Sequence, residues 1–418
     1  MNDNYTKKCF NKILKAESVY DVAIKSPTQY APKISAKMDN KIFIKREDLQ
    51  PVFSFKIRGA YNKISSLSEK EKIDGVVCSS AGNHAQGVAQ SCNKLKINGV
   101  IYMPTITPKQ KVAQVKMFGG KFVEVRLHGD TYDDAYEAAI EYCENSQKNF
   151  IHPFDDLSVI EGQGTLALEI INQCEKNIDY IFVPIGGGGL ISGVLSVFKQ
   201  LSPKTKIIGI EPIGAPSMHQ SLANKSIQKL TKIDPFVDGA AVKKVGEISY
   251  SLCSQFLDDI ILVPEGHICQ TILDMYNKDA IVVEPAGAIA IAALDFYKEK
   301  IKNKEVVCLL CGSNNDITRM SEIKEKALLY ADLKHYFLIK LPQRAGALKE
   351  FLTEILGPKD DITHFEYTKK NFRETGTAIV GIECADKNQL PRLIKNMKEG
   401  GFYSDYLNNK DDLRQILV

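Results

Sequence analysis

Tyr180-Ile181-Phe182-Val183-Pro184-Ile185-Gly186-Gly187-Gly188-Gly189-Leu190-Ile191-Ser192-Gly193 runs from an apolar, β-branched segment through four glycines into a helical apolar pattern. A buried strand, a loop without side chains and a helix start, in that order, mark one unit of an α/β sheet. Outward from it, short apolar runs at 75–79, 99–103, 121–125, 149–154, 206–211, 260–263 and 305–311 read as further strands. Helical patterns at 84–95, 108–118, 131–145 and 157–174 lie between several of them. This alternation predicts parallel sheets with both faces covered, in which ligands gather at the carboxyl ends of the strands. Upstream, residues 5–24 read as an amphipathic helix and 41–45 as a short strand.

The pattern changes near residue 332. Strand 336–341, helix 345–356, strands 362–367 and 377–383, helix 388–399 and a short strand near 402–406 follow in turn. That βαββαβ order is the ferredoxin-like arrangement. The expected division is therefore an α/β domain at 1–331, with a small subdomain roughly at 52–155 inserted in a larger one, and a separate domain at 332–418. In the latter, Pro342-Gln343-Arg344-Ala345-Gly346-Ala347-Leu348 opens the first helix, and Gly346 permits close backbone approach. Turn-and-cap chemistry and a binding loop account for it equally well.

Composition narrows the function classes. The 418 residues carry 54 basic and 51 acidic side chains, a formal charge of +3, and the signs are interspersed. No basic tract points to nucleic acid. Ten cysteines are scattered, and the nearest approach to a metal pair, Cys308-Leu309-Leu310-Cys311, lies on a strand whose alternation sends residues three apart to opposite faces, so no metal site is expected. The start, Met1–Lys8, has no signal-peptide core and no long apolar run follows, so a soluble, reduced, cytoplasmic protein without membrane partners is expected.

The chemistry enters with Ser54-Phe55-Lys56-Ile57-Arg58-Gly59-Ala60, where a lysine stands at the start of an apolar helical pattern. Alone, Lys56 is an ordinary surface cation. A semi-buried lysine at an element boundary is also one way to obtain a neutral amine nucleophile. The glycine loop decides between them, because free backbone N–H groups at a helix start are a phosphate cradle. An amine nucleophile and a phosphate cradle together suggest pyridoxal phosphate. A dinucleotide loop is disfavoured, since G-x-G-x-x-G spacing is absent and no acidic residue ends the next strand before Glu211.

Three further motifs fall at strand ends. Ser79-Ser80-Ala81-Gly82-Asn83-His84-Ala85-Gln86-Gly87 offers N–H donors for a carboxylate, and Asn83 an amide for a phenolic oxygen; taken singly it is a helix cap, and His84 a structural histidine. Cys311-Gly312-Ser313-Asn314 closes the last large-domain strand, where a small polar side chain could face a pyridine nitrogen. Glu284-Pro285-Ala286-Gly287 is a helix start with proline near its first position, or additionally a cofactor-facing acid.

Taken together, Lys45–Gln50, Ser54–Ala60, Ser80–Gly87, Gly186–Leu190, Asp238–Ala240, Glu284–Ala288 and Asn314–Asp316 resemble the fold-type II pyridoxal phosphate enzymes with a tryptophan synthase β-like fold, and within them the threonine dehydratases. His335-Tyr336-Phe337, Pro342–Leu348 and Gly357–Thr363 are similar to the single ACT-like regulatory domain of the biosynthetic form. The resemblance implies that Lys56 bonds the cofactor aldehyde beside Phe55, that Asn83 holds the ring hydroxyl, and that Gly186, Gly187, Gly188, Gly189 and Leu190 hold the phosphate. It places the substrate carboxylate at Ser80, Ala81, Gly82, Asn83 and His84, Glu284 beside the cofactor, and Cys311 at the pyridine nitrogen, where the family pattern has serine. Ala81 and Phe154 stand where racemases similar to this chain carry a serine and a polar amide, so racemisation is not expected as the main activity.

The implied reaction is α,β-elimination of L-threonine, and of L-serine, to the oxo acid and ammonia. Lys56 is its base, isoleucine, with valine second to it, is its effector, and a homotetramer is its assembly. A catabolic serine and threonine dehydratase, a β-replacement synthase and a non-catalytic amino-acid sensor on the same fold are the other readings that these motifs admit.

Overall fold

The computed structural model describes residues 3–174, 177–367, 374–410 and 412–413, which divide into two compact units between Ile317 and Thr318. The larger unit holds two sheets. In the first, Lys41–Arg46, Glu305–Leu310, Tyr180–Pro184, Lys206–Pro212 and Asp259–Val263 run parallel in that spatial order, and the three-residue strand Thr28–Tyr30 is added antiparallel at the edge. The second, wholly parallel, is Val123–Leu127, Gly99–Met103, Val76–Ser79 and Asn149–Phe150. The central strands, such as Val76–Ser79 and Gly99–Met103, are buried along their whole length, as helices on both faces require.

Two of the expected boundaries change for visible reasons. The strand expected at 149–154 stops at Phe150, because the His152 ring nitrogen Nδ1 accepts the backbone N–H of Phe154 (3.2 Å) and of Asp155 (2.8 Å) and turns the chain. The helix expected at 5–24 is an α-helix at Asp3–Ile13 and a separate 3₁₀ turn at Glu17–Asp21. Both pieces bury an apolar face, Ile13 in one case and Val19 in the other, so the apolar period survives the break.

Under the helix that begins at Lys56 (Lys56–Ser65) lies a closed set of buried charges. Arg58 Nε and Nη2 donate to the two oxygens of Glu47, both at 2.8 Å, and its Nη1 donates to Glu169 Oε1 at 2.6 Å. Lys45 Nζ reaches the other Glu169 oxygen at 2.6 Å. Two cations and two carboxylates so arranged leave no buried charge without a counterion, the condition under which an ionic cluster is tolerated in a core.

The smaller unit is one antiparallel sheet in the order Asp361–Tyr367, Thr375–Glu383, Lys334–Pro342, Tyr403–Tyr406, with helices Ala347–Glu354 and Leu390–Glu399. In chain order that is strand 2, 3, 1, 4, the ferredoxin-like topology. The expected boundary at 331/332 moves upstream, because the helix Met320–Tyr330 is held within this unit. Tyr336 Oη donates to Glu325 at 2.6 Å, and Lys334 pairs with the same carboxylate at 2.9 Å.

Candidate active site

Lys56 is the first residue of its helix and is half-buried. The segment leading to it is fixed by backbone. Phe53 adopts φ +59°, a conformation costly for a residue with a large side chain, and this bend brings residues 53–55 alongside 311–313. Ser313 N–H donates to Phe53 O (2.9 Å), Phe55 N–H donates to Cys311 O (3.2 Å), and Ser54 and Gly312 form an isolated antiparallel bridge. Phe55 is thereby set opposite Cys311, and Lys56 follows one residue on as the start of the helix.

The Lys56 amine donates to a neutral acceptor, Pro153 O, at 2.9 Å. Burial lowers its pKa from 10.5 to about 8, against the opposing pull of Cys311 and Glu284. At neutral pH a useful fraction of this amine is unprotonated, as a nucleophile or base must be. The adjoining residues of the Pro153 turn are used as well. Asp155 accepts the backbone N–H groups of Glu247 and Ile248 at 2.9 and 3.1 Å. The Phe154 ring lies on the glycine loop.

That loop tests whether a phosphate group fits. Gly188 has φ +95° and stands immediately before the helix Gly189–Leu201. A Cβ on Gly187 would lie 2.1 Å from the Phe154 ring, and one on Gly188 would lie 2.4 Å from Ser249 Cβ. Only glycine fits in either place, and the first-turn N–H groups have no intrahelical acceptor. Ser249 Oγ is buried and has no hydrogen-bond partner at this loop. Orphan donors at a helix start beside a bare cradle suit a phosphate ester. Leu190 contributes backbone there, since its side chain belongs to the core of the larger sheet.

The opposite wall is polar. Asn83 opens the helix Asn83–Leu95, and its Nδ2 donates to Glu284 Oε1 at 2.6 Å. Burial raises Glu284 to about 7, with Asp238 adding to the effect and the Asn83 amide opposing it. Glu284 also precedes the helix Pro285–Ala292, and its N–H donates to Gly312 O at 3.2 Å, so the acid and the helix start coincide. Cys311 is buried, with only a weak contact from Sγ to Leu309 O at 3.8 Å, and burial holds its thiol well above the usual range and neutral.

In the Ser80–His84 stretch, Ser80 Oγ accepts the Gly82 N–H at 3.2 Å, and Ala81 and Gly82 complete the turn into the helix. His84 turns away: its Nε2 meets Ile151 O at 2.9 Å, and burial, aided by Lys56, lowers it to about 3 and keeps it neutral. Lys56 and the glycine loop thus meet through the Pro153–Phe154 turn, Phe55 meets Cys311 through backbone, and Asn83 meets Glu284, whose N–H bonds Gly312 O next to Cys311. Sequence reasoning missed the Pro153 carbonyl, Ser249 and the amide of Asn314, which donates to both Asn83 and Gln86. Asn314 alone carried a signal, since it follows the same strand end as Cys311.

Comparison with known proteins agrees with this geometry. A family profile described as pyridoxal-phosphate dependent enzyme matches residues 19–312, and one described as the C-terminal regulatory domain of threonine dehydratase matches residues 325–417. The chain is 54% identical over 406 residues to the L-threonine dehydratase biosynthetic IlvA of Halalkalibacterium halodurans, covering 97% of this chain and 98% of that one. It is 52% identical over 407 residues to the protein of the same name from Bacillus subtilis, covering 97% and 96%. The processed form of threonine deaminase isoform 2 from Solanum lycopersicum superimposes with a TM-score of 0.74 at 44% identity, over 78% of this chain and 94% of that one. Maize serine racemase does so with a TM-score of 0.70 at 30% identity, over 77% and 98%. With its lysine, its glycine cradle and a tail that matches the dehydratase regulatory domain, the chain belongs to the pyridoxal-phosphate-dependent enzyme family.

Proposed function

We propose that this chain deaminates L-threonine to 2-oxobutanoate and ammonia by α,β-elimination, as the committed step toward isoleucine, and accepts L-serine as a second substrate. The observation that carries the chemistry is the Lys56 amine, brought to about 8 by burial and held by a neutral carbonyl rather than a carboxylate. The biosynthetic role rests on relatives of that name that match nearly end to end.

Bound pyridoxal phosphate supplies an aldehyde for the substrate amine and a ring that acidifies the Cα–H. Lys56 Nζ would take the Cα proton, with Pro153 O accepting one of its N–H groups. N–H groups of the Gly186–Leu190 loop, with Ser249 Oγ, would hold the phosphate, and Asn83 the ring hydroxyl. Cys311 would offer a neutral thiol to the ring nitrogen, a partner too weak to protonate it. The turn at Ser80–His84 offers backbone N–H groups to the substrate carboxylate. Ala81 supplies no proton on the far face, so elimination prevails over racemisation.

The second unit is read as the effector site. A cavity of about 280 Å³ lies between the Pro342–Lys349 loop and Phe365 and Tyr367. Leu341 and Ala347 offer it an apolar wall, and Arg344 and the backbone at Gly346 a place for a carboxylate. An amino acid with a branched apolar side chain, isoleucine and secondarily valine, matches that lining. Its binding lowers threonine affinity by a coupling of about 1–3 kcal/mol.

The working protein is taken to be a cytoplasmic homotetramer; no helix among the described residues is long and apolar enough to cross a membrane. The deciding experiment is threonine-dependent 2-oxobutanoate formation, with and without isoleucine, in the full chain and in a chain ending at residue 317. Inhibition by isoleucine that persists in the shortened chain removes the effector assignment, and absence of 2-oxobutanoate removes the activity.

A further inference from the structure

Asn83 can present either face of its amide to a ligand, and the two faces are opposite in hydrogen-bonding sense. The structure fixes which one. Asn314 Nδ2 points into three oxygens at once: Asn83 Oδ1 at 2.6 Å, Gln86 Oε1 at 2.8 Å and Val52 O at 3.0 Å. Asn314 Oδ1 is buried without a partner. Rotating this amide by half a turn would set its oxygen against three others, so its orientation is determined by its surroundings. Gln86 is fixed in the same sense, since its Nε2 donates to Gln114 Oε1 at 3.1 Å. With its oxygen claimed by Asn314, Asn83 keeps its nitrogen toward the cleft. One N–H is taken by Glu284, and the second is left over.

We propose that Asn314 is a positioning residue. By occupying Asn83 Oδ1, it obliges Asn83 to present an N–H donor, not an acceptor, to the phenolic oxygen of the cofactor ring. The inference rests on the assignment of Asn83 as the ring-hydroxyl contact and extends it to a residue 231 positions away in sequence, which acts on that contact through Asn83. A donor at that oxygen favours its ionised form, and this sets the colour and proton affinity of the lysine-linked cofactor.

The test uses the full-length enzyme reconstituted with pyridoxal phosphate, and reads cofactor affinity by fluorescence and the visible band as a function of pH. Asn314→Ala, Asn83→Ala and the double variant are compared, with Asn314→Asp as the isosteric control. Expected results are an Asn314→Ala band and pH midpoint shifted in the same direction as in Asn83→Ala by a smaller amount, and cofactor affinity about fivefold to tenfold weaker. The double variant should be indistinguishable from Asn83→Ala, because Asn314 acts only through Asn83. Asn314→Asp, which cannot donate to Asn83, should shift the band at least as far as Asn314→Ala. Additive shifts in the double variant, or an unmoved band in both Asn314 variants alongside a shifted Asn83→Ala, overturn the role of Asn314 and leave that of Asn83 standing. An unmoved band in Asn83→Ala overturns both.

Discussion

Lys56 and Arg58 are two cations on one turn of one helix, and their proton affinities move in opposite directions. Arg58 meets Glu47 and Glu169 within hydrogen-bonding distance, and these carboxylates, overcoming the burial that opposes them, hold it firmly protonated. Lys56 meets a carbonyl, and burial goes largely uncompensated. Burial alone does not decide a charge state; the number of anionic oxygens within reach does. Placing a saturated cation beside an unsaturated one lets the same helix be anchored by charge at one position and reactive at another.

Four experiments break or sharpen this contrast, in order of expected effect. Lys56→Ala removes the amine proposed to bond the cofactor and to take the Cα proton. Turnover should fall by about 10⁴-fold or more, with loss of the lysine-dependent visible band; retained turnover would end the assignment. Arg58→Met strands Glu47 and leaves Glu169 with Lys45 alone, and should cost about 3–5 kcal/mol of stability in urea unfolding. A loss below about 1 kcal/mol would mean the cluster is not a closed unit.

Gly187→Ala drives a methyl into the Phe154 ring and should weaken cofactor binding by about 1–3 kcal/mol. Adding Phe154→Ala should return much of that loss; no recovery would show that the loop resists a Cβ for another reason. The mildest test is pH. Lysine is a nucleophile only when neutral, so capture of the cofactor aldehyde by the apoprotein should rise about tenfold per unit below pH 8 and level off above it, following the Lys56 value of about 8. A rate still climbing toward 10.5, the ordinary lysine value, would show that burial does not act on Lys56 as described.

What was legible in the sequence was what is local. Four glycines after a strand, a lysine at a helix start and the βαββαβ order each express themselves within a few consecutive residues. The partners of those motifs do not. Pro153 acts through its carbonyl, which no side-chain pattern reveals, and lies 97 positions from Lys56. Asn314 reaches Asn83 only once two sheets are assembled. Ser249 is one unremarkable serine in a helix until Gly188 is seen against it. The edge strand Thr28–Tyr30 is too short to show alternation, and the first helix and the 3₁₀ turn after it read as one helix because the apolar period continues across the interruption. Helix Met320–Tyr330 was assigned to the wrong side of the domain boundary because its attachment depends on Glu325 meeting Tyr336 and Lys334 in space.

The short pairing between residues 53–55 and 311–313 has a practical outcome for anyone wishing to retune this catalyst. Because main-chain atoms hold the two segments together, Cys311 can be exchanged for serine, a side chain of similar size, without displacing the helix start at Lys56. On the proposed reading, electronic control of the ring and spatial control of the nucleophile are separate dials on a single scaffold.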